Sequence, residues 1–439
     1  FKQLFYAYCT IGRMRQILRR LLIFFQLLCV GKTLKVAVFS SSNCRGIYSD
    51  GNAQFPATLV ILLHMQSIFP EWDGMLLSDA SRWGPNCQKV FTQFQELYEN
   101  RSIIQGQKKN LTLLNIPVKS IQILTRLQQT GGKETDHSRG HWPVEAYMHL
   151  IAFKKLSAFG YDYGVYVDPD LFFFDRTLIE EIPHVQHIGC ISAIPPQCLE
   201  PSEYRTPNKD IHQEYRLITE ISLLDQVRAA AIPFGGYTVR NGTNSGLVIY
   251  NNHALANIHF DDWLLTLFNI SPKGFYGDQT ALTVAYGRAD IHIHWLPPRF
   301  NVALTFPRQY IGNICGADAK YSRHAVDGPS PGISSVHFIW GPKPWSPLMK
   351  KPHRNPRVGI QADLLFVNPY RKFLREALPE DMALQYFGPG SLTDINKTGA
   401  EIFKAAYHRC FTLNPHPCLQ RYGSRKHPPP DTISGVLHH

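Results

Sequence analysis

Gly164-Val-Tyr-Val-Asp168-Pro-Asp170-Leu-Phe-Phe-Phe174 carries an apolar run into two carboxylates one residue apart, and a second apolar run follows. Val165-Tyr166-Val167 is β-branched and aromatic, which reads as a buried strand. Two carboxylates on such a strand would repel, and each would be costly to desolvate. The arrangement becomes sensible if the strand ends at Asp168 and both side chains meet a divalent cation, since hard oxygen ligands suit Mg²⁺ or Mn²⁺. Pro169 supports a strand end, having no N–H for a ladder and a fixed φ. On this motif alone a turn with solvated acids stays open.

Working back from the motif, Lys35 to Ser42 reads as a core strand ending in small polar residues, and Phe55 to Phe69 has helical apolar spacing. Gly74 to Ser78 reads as a second strand, residues 85–101 as a helix and Pro117 to Leu124 as a third strand. Residues 128–141 read as a polar loop, and Pro143 to Phe159 as the helix that delivers the chain to Asp168. Alternating strand and helix predicts an α/β fold. In open parallel sheets ligands bind beyond the carboxyl ends of the strands, so the Ser40-Ser41-Ser42 end and the Asp168/Asp170 end should share one rim.

Beyond the motif, the Pro-rich stretch 195–215 reads as a surface excursion. Thr243-Asn244-Ser245-Gly246 leads into the apolar strand Leu247 to Tyr250, and Asp261 to Asn269 reads as a helix. Gly277-Asp278-Gln279 opens a further helix, with Asp278 placed to cap it. Leu296 to Asn301 is extended, and Val336-His337-Phe338-Ile339 is a strand breaking into Trp340-Gly341-Pro342-Lys343-Pro344-Trp345. Residues 362–377 and 399–409 read as helices, and 421–439 as a disordered tail.

The chain has 439 residues, 44% of them hydrophobic, enough for a large core and two or three domains. The net charge of +11 fits an enzyme for anionic small substrates; no nucleic-acid motif appears. The Cys count is nine, with Cys190/Cys198 and Cys410/Cys418 each eight apart, a spacing that suggests local disulfides in an oxidising compartment. Five Asn-x-Ser/Thr sequons, at Asn100, Asn110, Asn241, Asn269 and Asn396, point to the secretory pathway. Arg13, Arg15, Arg19 and Arg20 precede the apolar stretch 21–30, which resembles a signal peptide or short signal anchor.

Singly, Asn244-Ser-Gly could be a turn, Asp278 a helix cap and His337 a core histidine. In this order, however, Asp168-Pro-Asp170, Asn244-Ser245-Gly246, Asp278-Gln279 and His337-Phe-Ile-Trp-Gly341-Pro-Lys343-Pro344-Trp345 resemble glycosyltransferase family 8 across roughly residues 35–346. These are glycogenin-like retaining enzymes with a GT-A fold, a Rossmann-like nucleotide-diphospho-sugar transferase with a mostly parallel central sheet flanked by helices. The resemblance implies that Asp168, Asp170 and His337 hold Mn²⁺ between the phosphates of a UDP-sugar, a ligand set that suits Mn²⁺ better than Mg²⁺. It implies that Lys343 neutralises the departing diphosphate and that Gly341 lets the backbone approach a phosphate. It places Asn244, Ser245, Gln279, Ser40 and Ser41 around the donor and Asp278 against the sugar or the acceptor, with Asp278, Gln279 and Lys343 serving the chemistry. Relatives carry a Lys or Arg on the helix before the acidic motif; here that helix offers His149, Lys154 and Lys155, of which His149 matches best, and Trp340 takes the place of a loop glycine that many relatives have.

The resulting expectation is a signal segment at 1–31, a transferase domain at 32–349, a helical extension at 350–420 and a tail at 421–439. The enzyme would move a hexose or pentose from a UDP-sugar to a hydroxyl acceptor (glycan, protein, lipid or polyol) in the Golgi lumen, as a type II membrane protein or secreted. Two alternatives are a haloacid-dehalogenase-type phosphatase, which leaves His337 to Trp345 unexplained, and a non-catalytic nucleotide-sugar or glycan binder, against which all three metal ligands stand.

Overall fold

A computed structural model of the chain describes residues 34–44, 54–118, 144–192, 221–238, 243–270, 277–303, 334–338, 343–345 and 360–392. Strand β1 (Val36–Ser41) leads through helix α1 (Gln54–Ile68) to β2 (Asp73–Ser78), and α2 (Cys87–Ile104) leads to β3 (Thr112–Asn115). Helix α3 (His149–Ala158) precedes β4 (Tyr163–Val167), β5 (Leu171–Phe173) and β6 (Ile188–Ser192). After α4 (Ile221–Ala231) come β7 (Thr243–Asn251), α5 (Asn252–Ala256), α6 (Phe260–Ile270), α7 (Gly277–Ala285) and β8 (Ile293–Trp295). Short strands β9 (Val302–Ala303) and β10 (Ser335–His337) precede α8 (Ile360–Ala377) and α9 (Glu380–Phe387).

The main sheet has seven strands in the order β3-β2-β1-β4-β7-β6-β8. The β3-β2-β1-β4 half is parallel, β7 runs antiparallel to both its neighbours, and β6 and β8 are parallel. This is the α/β architecture expected from the sequence, a mostly parallel sheet flanked by helices. The strand period of two sorts side chains onto two faces. Val36, Val38, Val165, Val167, Leu247 and Ile249 pack with α1, α2, α8 and α9, while Ala37, Phe39, Tyr166, Val248 and Tyr250 pack with α3, α6 and α7. Helix α1 is buried from Phe55 through Gln66, so it lies inside the molecule rather than on it. Burial of each such large apolar side chain stabilises by about 1.5–3 kcal/mol.

A second sheet, β5-β10-β9, bends away at the acidic motif. Strand β10 pairs antiparallel with β5, His337 opposite Leu171, and parallel with β9.

Two expectations are corrected. A strand the sequence reading did not give, Thr112–Asn115, pairs with β2 as far as Ser78↔Asn115, where β2 ends; Pro117, without an N–H for a ladder, and Val118 are not strand, and the rest of the expected 117–124 strand lies outside the described residues. Cys190 is a buried free thiol on β6, so it forms no local disulfide; among the described residues a bridge joins Cys44 to Cys87. The 143–159 helix divides into a 3₁₀ turn, Val144–Tyr147, and α3. The apolar segment 21–30, the loop 128–141, the excursion 195–215, Gly341, Cys198, Cys410, Cys418, Asn241, Asn396, the helix 399–409 and the tail lie outside the described residues. Among the described residues no helix is long and apolar enough to cross a membrane.

Candidate functional site

The site forms where the two sheets part. Strand β4 ends at Val167, and the Asp168 N–H still donates to the Gly246 carbonyl of β7 at 2.8 Å. The chain then turns through Pro169, so Asp168 and Asp170 stand at the carboxyl edge of the parallel strands. Because β10 lies against β5, His337 arrives beside Asp170 from 167 residues further along; Phe338 N–H donates to the Asp170 carbonyl at 3.0 Å. The His337 Nε2 lies 3.2 Å from Asp170 Oδ1 and 3.5 Å from Asp168 Oδ2. One ligand atom from each of Asp168, Asp170 and His337 lies within 4.8 Å of the others, a possible metal-binding triad.

The electrostatics fit a cation. Burial opposes charge on His337, but the Asp170 charge and hydrogen bonds to Asp168 and Asp170 overcome it and raise the imidazole to about 9. Burial likewise opposes the Asp170 charge, and Lys343 and His337 outweigh it, holding the carboxyl well below the usual range. The Lys343 ammonium sits on Asp170 Oδ2 and also donates to the Phe338 carbonyl at 2.7 Å. A partly buried carboxylate, Asp168, and a buried one, Asp170, thus gather an imidazole and an ammonium, as an anionic pocket suited to a metal would.

The rest of the rim connects to this triad. Tyr166, two residues before Asp168 on the same strand face, donates to Asp168 Oδ1 at 2.8 Å and lies 3.4 Å from Ser41 Oγ. The β1 and β4 ends therefore do share one rim. Ser40 Oγ is buried there without a hydrogen-bond partner among the described residues. Asn244 Nδ2 donates to Gln279 Oε1 at 3.3 Å, joining β7 to the first turn of α7. Ser245 is buried beside it. Gly246 is required by close approach, since a Cβ there would collide with the His337 ring.

Asp278 is buried in the first turn of α7, 3.5 Å from His149 Nε2. His149 is fully buried, bonded through Nδ1 to the Tyr250 hydroxyl at 2.6 Å and stacked on Tyr166 at 4.2 Å. It touches the rim through Asp278 and Tyr166. The sequence reading missed Tyr166, Tyr250 and Asn301. Only Tyr166 had a local signal, its i,i+2 spacing to Asp168; Asn301 showed only as a lone amide ending an extended run.

No protein-family model and no curated protein matches the sequence. Among solved structures the chain is similar to the galactosyltransferase LgtC in complex with donor and acceptor sugar analogs, at 12% identity over 79% of this chain and 98% of that one, with a TM-score of 0.40. Mouse xyloside xylosyltransferase 1 is similar at 13% identity over 70% and 98%, with a TM-score of 0.36. The glycosyltransferase GlyE of Streptococcus pneumoniae is similar at 14% over 83% and 66%, with a TM-score of 0.37.

Proposed function

We propose that this chain is a Mn²⁺-dependent retaining glycosyltransferase of the family 8 type, moving a hexose or pentose from a UDP-sugar to a hydroxyl acceptor. The observation that carries the reading is the convergence of Asp168, Asp170 and His337, brought from two sheets to one strand edge with Lys343 on the same carboxylate. These three residues would hold the ion, and an imidazole with two carboxylates leaves positions open for phosphate oxygens. A bound Mn²⁺ would supply positive charge to the donor diphosphate. Lys343 adds a second positive charge where negative charge develops as the glycosidic bond to UDP breaks. Asn244 and Gln279 offer amide donors and acceptors to sugar hydroxyls, with Asp278 close by in the first turn of α7. Ser40 and Ser41 line the end of β1 for the base, and Gly341 would face a phosphate. His149 is buried, so its part in donor binding runs through Asp278 and Tyr166.

A strand-end phosphatase would leave the His337 contacts to Asp168 and Asp170 without a role. The Cys44–Cys87 bridge and the exposed side chains of Asn100, Asn110 and Asn269 support a secretory-pathway setting, Golgi lumen included.

Thermal denaturation with UDP, GDP and their sugar conjugates, with and without Mn²⁺, tests the reading. A ligand at 100 times its Kd stabilises the native state by about 2.7 kcal/mol. The expected result is a Mn²⁺-dependent rise in Tm with one UDP-sugar, absent in Asp170→Asn and His337→Ala. An unchanged rise in either variant would sink the metal assignment.

A further inference from the structure

Between the triad and the Asn244–Gln279 pair stands Asn301, a buried residue immediately before β9. Its place is fixed by the sheet, because β9 pairs with β10 with His337 opposite Ala303, and Ser335 Oγ donates to the Phe300 carbonyl. Asn301 Nδ2 lies 2.6 Å from Asn244 Oδ1, and Asn301 Oδ1 lies 2.9 Å from His337 Nδ1.

The donors and acceptors along this line leave no choice of direction. The Gly246 backbone N–H can only donate, and it meets the Asn244 side chain at 2.9 Å, so that atom is the amide oxygen. The Asn301 atom facing the same oxygen must then be its NH₂. The other end of Asn301 is consequently its oxygen, which can only accept, so His337 Nδ1 must carry a hydrogen. A neutral His337 then keeps its lone pair on Nε2, the nitrogen that faces Asp168 and Asp170.

We propose that Asn301 is a positioning residue that, set by the Gly246 N–H through Asn244, fixes the His337 tautomer so that Nε2 is the metal ligand, and so joins the metal site to the Asn244–Gln279 edge. The inference rests on the metal reading above. A ligating His whose other ring N–H has an oriented acceptor is held in both rotation and tautomer, and loss of such an acceptor costs 10–100-fold in metal affinity. The same relay holds Asn244 between two neighbours, with its Nδ2 toward Gln279. Metal ligand and sugar-facing amide therefore take their orientation from one buried side chain.

The test is Mn²⁺ titration of the nucleotide-free protein, read by the electron paramagnetic resonance signal of free Mn²⁺. Asn301→Ala should bind Mn²⁺ roughly 10–100-fold more weakly than wild type. Asn301→Asp retains an oxygen for His337 Nδ1–H but repels Asn244 Oδ1, so it should restore Mn²⁺ affinity to within a few-fold while raising KM for the sugar donor. Wild-type affinity in Asn301→Ala would overturn the relay and leave the metal reading standing. Absence of Mn²⁺ binding by the wild type would overturn both. Long-range ¹H–¹⁵N correlation spectra of the Zn²⁺-loaded wild type give a readout that needs no variant to fold. Hydrogen on Nδ1 with metal on Nε2 is the expected signature, and the reverse assignment would overturn the proposal.

Discussion

At the scale of single residues, Lys343 holds two positions in the argument. In the structure its ammonium lies on Asp170 Oδ2, a carboxylate that also belongs to the metal triad. In the proposed reaction it serves the departing diphosphate. An ammonium competing for a metal-binding oxygen weakens metal affinity, whereas one stabilising a leaving group raises the rate. Lys343→Met separates the two. Turnover should fall by about 10²–10³-fold, the usual cost of removing one preorganised charge donor. Mn²⁺ affinity of the nucleotide-free protein should stay equal or rise, because Asp170 loses a competitor. A clear fall in Mn²⁺ affinity would show that Lys343 supports the ion rather than competes with it. The motif residues in this cluster were legible in the sequence through their order and residue types together, since singly each also fits a turn, a cap or a core histidine. Tyr166 and Asn301 were not, because an aromatic in a strand and a lone amide after one are both ordinary; the pairing of β4 with β1 shows what Tyr166 touches, and that of β10 with β9 what Asn301 touches.

At the scale of elements, the site depends on β5 being held against α1. His64 of α1 places Nε2 2.9 Å from the Phe173 carbonyl and 3.2 Å from the Phe173 N–H, and its ring stacks on Phe172 at 4.0 Å. Burial lowers its pKa to about 4, the bond to Phe173 opposing this only in part. A depressed folded-state pKa means that the unfolded chain takes up the proton first. Stability from His64 is thus complete above about pH 6.5 and is lost as pH falls toward 4, up to about 3 kcal/mol across that window. The measurement is Tm against pH for wild type and His64→Phe: the difference between the curves should change between pH 6.5 and 4 and be flat above. Parallel curves would mean that His64 titrates normally. Helix α8 completes this layer, Tyr370 packing on Phe172 and Trp345, and buried Arg371 donating to the Pro344 carbonyl at 3.4 Å. That helix was legible by its own periodicity. Its role in holding the Lys343-Pro344-Trp345 segment was not, since nothing local in the 360–377 stretch records which core it joins. That β3 was missed has the same origin: an edge strand of four residues has too little pattern to show itself.

At the scale of the whole molecule, the α/β class followed from alternating strand and helix patterns, whereas the strand order, the antiparallel β7 and the covalent framework did not. Spacing suggested Cys190–Cys198, yet Cys190 is buried in β6 as a thiol whose pKa burial pushes up. The bridge found among the described residues spans 43 residues, from just beyond β1 to the first residue of α2. Cys44 is tied to the rim as well, since Gly84 N–H donates to its carbonyl at 2.7 Å and Ser78 Oγ donates to the Ser42 carbonyl at 2.7 Å. Closing a loop of that length removes unfolded-chain entropy worth roughly 4 kcal/mol. Spread over the unfolding entropy of a chain this long, that is a shift of about 4 °C in Tm. Dithiothreitol and the Cys44→Ala/Cys87→Ala double variant should lower Tm by the same amount, and the reductant should do nothing further to the variant. Because the bridge anchors the end of β1, where Ser40 and Ser41 face the rim, the double variant should also raise KM for the nucleotide-sugar more than it lowers kcat. A Tm drop with unchanged KM would confine the bridge to stability. No drop with either treatment would mean that the fold holds this corner without it.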